Sequence, residues 1–166
     1  MRLPAIHCLS LLAGLLLPSV AAASDKYFFT PASVCQPSNA GRNNTDYNQW
    51  GVSNVSSSAW LHVECPLLTR SSQEDFALLV QGIAVYVYDR HGSDDLSCTI
   101  RAVDLDLNTA WFDTQWSSGS GRGYQTLVFS PPRIGAHLTW SMSCSLPAAV
   151  GENRSAVTAV MMVAPF

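Results

Sequence analysis

Residues 138–146, LTWSMSCSL, alternate apolar and polar side chains along their whole length. Successive side chains of a β-strand point to opposite faces. The pattern therefore predicts a strand with one face on a core and the other toward water, as in antiparallel sheets. Residues 60–65 and 96–102 show the same alternation.

Further strands are predicted where β-branched and aromatic residues run between clusters of Gly, Pro, Asn, Asp and Ser. These are residues 26–30, 47–55, 77–88, 110–116, 124–129 and 155–164. Many short strands with turn-rich connections and no amphipathic helix indicate an all-β fold. We expect one antiparallel β-sandwich domain over residues 24–166, of the jelly-roll or immunoglobulin-like type.

The first 23 residues have the composition of a secretory signal peptide. Arg2 supplies the positive charge, residues 9–17 the short apolar core, and the alanines at 21–23 a small-residue cleavage site. Cleavage is predicted after Ala23, with Ala21 as the second choice. The apolar run is too short for a stop-transfer helix. The sequence therefore predicts a secreted, periplasmic or extracellular protein.

The chain contains five cysteines, of which Cys8 lies in the predicted leader. The other four are Cys35, Cys65, Cys98 and Cys144. An even number of cysteines in an exported chain favours two disulfides, and the absence of a CxxC pair argues against zinc. Four cysteines allow three pairings. We favour Cys35–Cys65 with Cys98–Cys144 because each closes a modest loop, although the sequence leaves the other two open.

The charge of the chain argues against nucleic acid as a partner. Its formal net charge is −3, and removal of the leader takes away an arginine but no acid. The remaining arginines are scattered along the sequence. They form no basic stripe of the kind that a nucleic-acid-binding surface presents. We also expect no membrane insertion. The oligomeric state is left open.

Five short motifs occur in a recognisable order along the chain. They are YNQWGVSN at 47–54, VECPL at 63–67, VYVYDR at 85–90, LSCTI at 96–100 and SMSCSLP at 141–147. The ordered set resembles a group of small exported bacterial proteins that have no assigned activity. The resemblance implies a disulfide-bearing β domain outside the cytoplasm, and it supplies no catalytic residue.

The tryptophans give the main functional hypothesis. Trp60 is expected to face away from the apolar row of its strand. One face of residues 110–116 carries Trp111, Asp113 and Gln115, and the other carries Phe112, Thr114 and Trp116. An outward aromatic ring beside Asp or Gln can stack on a sugar and bond its hydroxyls. We therefore predict that Trp60, Trp111, Asp113 and Gln115 bind a carbohydrate or another cell-surface component. The alternative is that these aromatics are buried at the sheet margins.

A cluster of carboxylates suggests calcium as a cofactor. Asp89, Asp94 and Asp95 lie in the predicted turn YDRHGSDD at 88–95. Oxygen ligands on a loop suit Ca²⁺, but the spacing matches no EF-hand loop. Aspartate is also expected in turns, where its side chain bonds nearby backbone amides. No other cofactor is predicted.

Two further functions remain as alternatives to a non-catalytic binding module. His62 and Glu64 share a strand face, and His91 or His137 could complete a metal site for hydrolysis. The sequence contains no nucleophile elbow and no HExxH motif, so no catalytic residue is predicted. The second alternative is a structural subunit that assembles through strand edges. Lys26 is the only lysine, and lysine-poor edges permit such pairing.

Overall fold

A computed structural model describes residues 25–49, 51–67, 80–104, 106–118, 123–132 and 138–164. The predicted signal peptide lies outside these residues. The described residues form eleven strands. They are β1 (Lys26–Pro31), β2 (Gln36–Pro37), β3 (Thr45–Asn48), β4 (Gly51–Asn54), β5 (Leu61–Leu67), β6 (Gly82–Asp89), β7 (Ser97–Val103), β8 (Thr109–Trp116), β9 (Gly123–Phe129), β10 (Thr139–Leu146) and β11 (Ala156–Ala164). Two short 3-10 segments lie at Ala32–Val34 and Asn39–Asn44.

The strands form two antiparallel sheets, which confirms the predicted antiparallel β-sandwich. Sheet A has the order β3-β4-β11-β6-β9, and β1 also pairs with β11. Sheet B has the order β2-β5-β10-β7-β8. The described part of the chain contains no α-helix, and none of its segments is a helix capable of crossing a membrane.

The strand order is that of a jelly roll rather than an immunoglobulin fold. From β4 onward the chain changes sheet at every step except the β7–β8 hairpin. Sheet A then reads β4-β11-β6-β9 and sheet B reads β5-β10-β7-β8. Such interlocked Greek keys on eight strands define the jelly roll.

The core lies between the two sheets and follows the alternation read from the sequence. In β10 the residues that alternate with serine are buried: Trp140, Met142, Cys144 and Leu146. β5 contributes Leu61, Val63, Cys65 and Leu67 from the same sheet. They pack against Ile83, Val85, Val87 and Val160 of sheet A. Full burial of an aliphatic side chain contributes roughly 1.5–3 kcal/mol, so these rows hold the sheets together.

Both favoured disulfides are present, and each joins neighbouring strands of sheet B or their ends. Cys98 and Cys144 are direct partners in the β7–β10 register, with Cα atoms 4.1 Å apart. Cys35 immediately precedes β2 and bonds Cys65 of β5, with Cα atoms 4.0 Å apart. All four cysteines are buried. The bonds fit an oxidising compartment outside the cytoplasm.

The prediction of one strand over residues 47–55 is wrong, because this segment is part of the β3–β4 hairpin. Gly51 has φ +121°, a backbone conformation that residues other than glycine rarely adopt. A Cβ atom at this position would lie 2.0 Å from the backbone oxygen of Val157. The hairpin therefore turns where only glycine allows β4 to approach β11.

Candidate functional site

The outer face of sheet B carries three rows of side chains that cross the sheet in register. The first row contains His62, Ser145, Ser97 and Trp116. The second contains Glu64, Ser143, Thr99 and Thr114. The third contains Pro66, Ser141, Arg101 and Phe112. We call this surface the platform. The centre of the platform is polar. The apolar residues of the same strands alternate with the platform residues and point into the core.

Two aromatic rings stand on the platform at its β8 edge. Phe112 is 65% exposed and Trp116 is 61% exposed. They lie on the same face of β8 and are separated by four residues, which corresponds to roughly 13 Å along a strand. Thr114 lies between them. Large aromatics at this exposure leave apolar area in water that a ligand could cover.

Hydroxyl groups occupy the platform between the aromatics and β5. The Thr99 and Thr114 hydroxyls are hydrogen-bonded to each other at 2.8 Å. At the other side of the sheet, His62 Nδ1 and the Ser145 hydroxyl are 2.8 Å apart. Each hydroxyl can donate one hydrogen bond and accept others. The side chains of this surface can therefore form hydrogen bonds with a polyhydroxyl ligand, without any contribution from the backbone.

A groove in the platform is lined by side chains of opposite charge. It has a volume of about 520 Å³ and is lined by Glu64 and Arg101, with Gln36, Ser141 and Ser143 beside them. Glu64 is on β5 and Arg101 on β7, with β10 between them. Carboxylate and guanidinium groups each bond pairs of hydroxyls in charge-assisted geometry. The groove is thus suited to an uncharged polar ligand.

The structure corrects the predicted orientation of Trp111, which was expected to face outward. Its neighbour in β7 is the buried Ala102, so Trp111 lies on the core side of β8. It is half-buried, packs against the core and lies 5.9 Å from the Trp140 ring, measured between ring centroids. The outward aromatics of this strand are Phe112 and Trp116, which the sequence reasoning missed.

Asp113 and Gln115 share this inward face and bond each other. The Gln115 amide donates to Asp113 at 2.9 Å, and the backbone amide of Thr114 donates to the same carboxylate at 2.8 Å. Both side chains are half-buried. This local pairing lets polar groups lie on the core side of an edge strand. The polar character of both β8 faces concealed which one is outward.

Trp60 is exposed as predicted, with 44% of its surface accessible. It precedes β5 at the end of sheet B where Trp116 lies. The row of Trp116 reaches β5 at His62, three strand spacings or roughly 14 Å away, and Trp60 lies two residues beyond His62. Trp111 is at the opposite end, in the row of Trp140 and Leu67. The structure therefore does not bring Trp60 and Trp111 together in one site.

The three aspartates of the calcium hypothesis do not form a ligand cluster. Asp89 is 2% exposed and accepts hydrogen bonds from the hydroxyls of Ser117 and Ser155 and from the amide of His91. Asp94 lies at the surface beside His91, and Asp95 is half-buried. The described ranges contain no group of three or more His, Cys, Asp or Glu side chains that could hold a metal.

The residues of the metal-dependent hydrolase alternative are also dispersed. His62 bonds Ser145 on the platform. His91 is buried in the loop after β6 of sheet A, where its Nδ1 accepts the amide of Asp94 at 2.9 Å. His137 lies outside the described residues. No catalytic arrangement of His62 and Glu64 with a third ligand is visible in the described part.

Comparison with solved structures finds distant likeness of architecture. The enzymatically active domain of tailspike protein 4 from bacteriophage CBA120 has a TM-score of 0.44 at 10% identity, over 86% of this chain and 19% of that chain. The xylan-binding module CBM86 from Roseburia intestinalis has a TM-score of 0.44 at 14% identity, over 84% of this chain and 95% of that chain. TmCBM61, in complex with β-1,4-galactotriose, has a TM-score of 0.35 at 8% identity, over 83% of each chain.

These likenesses concern architecture alone, and the chain spans about a fifth of the tailspike structure. No family model and no curated protein sequence matches the chain. The resemblance to small exported bacterial proteins therefore stays a prediction.

Proposed function

We propose that the chain is a non-catalytic module that binds a polysaccharide or cell-surface glycan on the platform. The observation that carries this proposal is the pair Phe112 and Trp116, exposed on one face of β8 beside rows of hydroxyl groups. The apolar face of a sugar ring stacks on aromatic rings, while its hydroxyls bond polar side chains. The platform offers both kinds of contact on one surface.

The separation of the two rings favours an oligosaccharide over a single sugar. Phe112 and Trp116 are roughly 13 Å apart along β8. One sugar ring cannot cover both, whereas a chain lying along the strand contacts both and passes the Thr114 hydroxyl. Arg101, the partner of Phe112 in β7, gives such a chain a further hydrogen-bonding group beside that ring.

The charges of the platform support binding rather than hydrolysis. Glycoside hydrolysis commonly needs two carboxyl groups that flank the scissile bond. Of the described residues in the three rows, Glu64 alone carries a carboxylate. The Asp113 carboxylate lies on the core side of β8 and is bonded to Gln115. The proposal therefore assigns no catalytic residue.

Pull-down on insoluble polysaccharides tests the proposal. The purified chain is mixed with cellulose, xylan, chitin and bacterial cell wall, and the bound fraction is measured. We expect retention on at least one of them, and loss of it in Phe112→Ala and Trp116→Ala. Phe29→Ala is the matched control, because Phe29 is 64% exposed but lies on β1 of sheet A. Retention by the Phe112→Ala/Trp116→Ala double variant, or no retention of the original chain on any material, would refute the proposal.

A further inference from the structure

The outer face of sheet A contains a cleft of about 270 Å³, on the opposite side of the molecule from the platform. Its floor is formed by small, buried side chains of neighbouring strands, Ser53 of β4 and Ala156 of β11. Tyr88 of β6 and Tyr124 of β9 follow in the same row across the sheet. The cleft exists because small residues in this row adjoin large ones.

The two tyrosines form an aromatic corner at one side of the cleft. Their ring centroids are 4.7 Å apart and their planes are inclined by 42°. Tyr124 is 68% exposed, whereas Tyr88 is half-buried. Inclined rings in contact hold each other in place, so the corner offers a preformed apolar wall to a small ring.

The charged lining of the cleft contains two arginines and one carboxylate. Arg90, Arg154 and Glu152 line it, in a chain whose net charge is −3. Arg154 is already paired, since its Nη1 donates to Asp46 at 3.1 Å. Arg90 lies over the Tyr88 ring, with its guanidinium carbon 5.5 Å from the centroid. In the described part of the chain it makes no ion pair with a carboxylate.

We infer that this cleft binds a single sugar ring that carries a carboxylate. Its volume lies just below the range of drug-sized pockets and suits one ring rather than a chain. The tyrosine corner would contact the apolar face of the ring. The Arg90 guanidinium, positioned by its contact with Tyr88, would bond the carboxylate with two parallel hydrogen bonds. Glu152 would accept from ring hydroxyls.

The inference does not depend on the platform, because the two surfaces lie on opposite sheets. If both bind, one molecule holds a glycan chain on sheet B and a separate acidic sugar on sheet A. A carboxylated ring could come from the end or branch of a polysaccharide, or be a free sugar acid. The chemistry that the cleft recognises is the same in both cases.

Calorimetry with pairs of ligands that differ only in the carboxylate tests the inference. The probes are the methyl glycosides of glucuronic and galacturonic acid and their neutral counterparts of glucose and galactose. We expect at least one acid to bind with a Kd about tenfold below that of its neutral counterpart, as one charge-assisted contact allows. Competition by a glucuronic-acid-bearing xylan would assign the polysaccharide as the source, and its failure would assign the free acid.

Variants of the cleft separate the charge contribution from the stacking contribution. Arg90→Gln should remove the preference for the acid, with the two Kd values becoming equal within about twofold. Tyr124→Ala should weaken both ligands. Arg42→Gln is the matched control, since Arg42 is an exposed arginine that does not line the cleft. If Arg90→Gln folds poorly, Arg90→Lys keeps the charge without the planar fork and should give an intermediate preference.

Three results would overturn the inference. The first is that no acid binds more tightly than its neutral counterpart. The second is that the preference survives in Arg90→Gln. The third is that Trp116→Ala abolishes acid binding while Tyr124→Ala leaves it intact, which would place the acid on the platform and leave the proposed function standing.

Discussion

The hydroxyl of Ser155 donates a hydrogen bond of 2.7 Å to Oδ1 of Asp89, a carboxylate that is 2% exposed. The Ser117 hydroxyl donates to the other oxygen, Oδ2. Asp89 ends β6, Ser155 precedes β11, and Ser117 follows β8 of the opposite sheet. The buried carboxylate therefore ties the two sheets together at one end. It also lies between the two proposed sites, because Ser117 adjoins Trp116 and Asp89 adjoins Arg90.

Replacement of Asp89 by alanine should destabilise the fold by on the order of 3 kcal/mol. The substitution leaves the hydroxyls of Ser117 and Ser155 and nearby backbone amides without their acceptor, and unsatisfied buried groups are costly. Asp89→Asn should be less severe, since it keeps one acceptor oxygen. Urea unfolding followed by tryptophan fluorescence measures both. Asp94→Asn is the control, because Asp94 is half-exposed. An unchanged midpoint for Asp89→Ala would contradict this role.

Addition or removal of calcium should leave the unfolding temperature unchanged. Both oxygens of Asp89 already accept hydrogen bonds, and the described residues bring no three potential ligands together. A bound cation would instead raise the midpoint by an amount that grows with the logarithm of its concentration relative to its Kd. Differential scanning fluorimetry with millimolar CaCl₂ and with EDTA makes the comparison. A reproducible rise with calcium that Asp89→Asn abolishes would restore the calcium hypothesis.

Gly51→Ala should destabilise the fold more than Gly123→Ala. Both glycines have positive φ angles, +121° and +129°. An added Cβ at Gly51 meets the Val157 oxygen at 2.0 Å, whereas at Gly123 nothing lies within 4 Å. Gly123→Ala should therefore show only the conformational penalty of about 1–3 kcal/mol, and Gly51→Ala should exceed it. Thermal unfolding ranks the two variants, and equal losses would show that the approach of β4 to β11 is not limiting.

Gly51 also shows where sequence reasoning stops. The faces of β5, β7 and β10 could be predicted because each strand is apolar on one side only. The β3–β4 hairpin could not, because the need for glycine arises from Val157, a residue distant in sequence. The inward orientation of Trp111 could not be predicted, because Asp113 and Gln115 form a hydrogen bond with each other on the core side and make that face of β8 polar. The cleft could not be predicted, since Tyr88, Tyr124 and Arg154 are distant in sequence and come together only when sheet A forms.

The two disulfides should protect different parts of the fold, although removal of either should cost on the order of 2–5 kcal/mol. Cys98–Cys144 joins two long central strands directly beneath the platform. Its double alanine variant should unfold globally at lower urea concentration. Cys35–Cys65 instead fastens β2, which pairs with β5 through Gln36 and Pro37 and is followed by a hydrogen bond from the Ser38 amide to the His62 carbonyl.

Loss of Cys35–Cys65 should therefore open the segment around β2 before the rest of the sandwich unfolds. Local openings of this kind raise amide exchange where few contacts hold the chain. Hydrogen exchange read by mass spectrometry should show faster exchange across residues 32–44 in Cys35→Ala/Cys65→Ala, with β7 and β10 still protected. Intact mass of the unreduced, alkylated chain should show no free thiol among the four cysteines. Uniformly faster exchange in both double variants would mean that the β2 segment is part of the global folding unit.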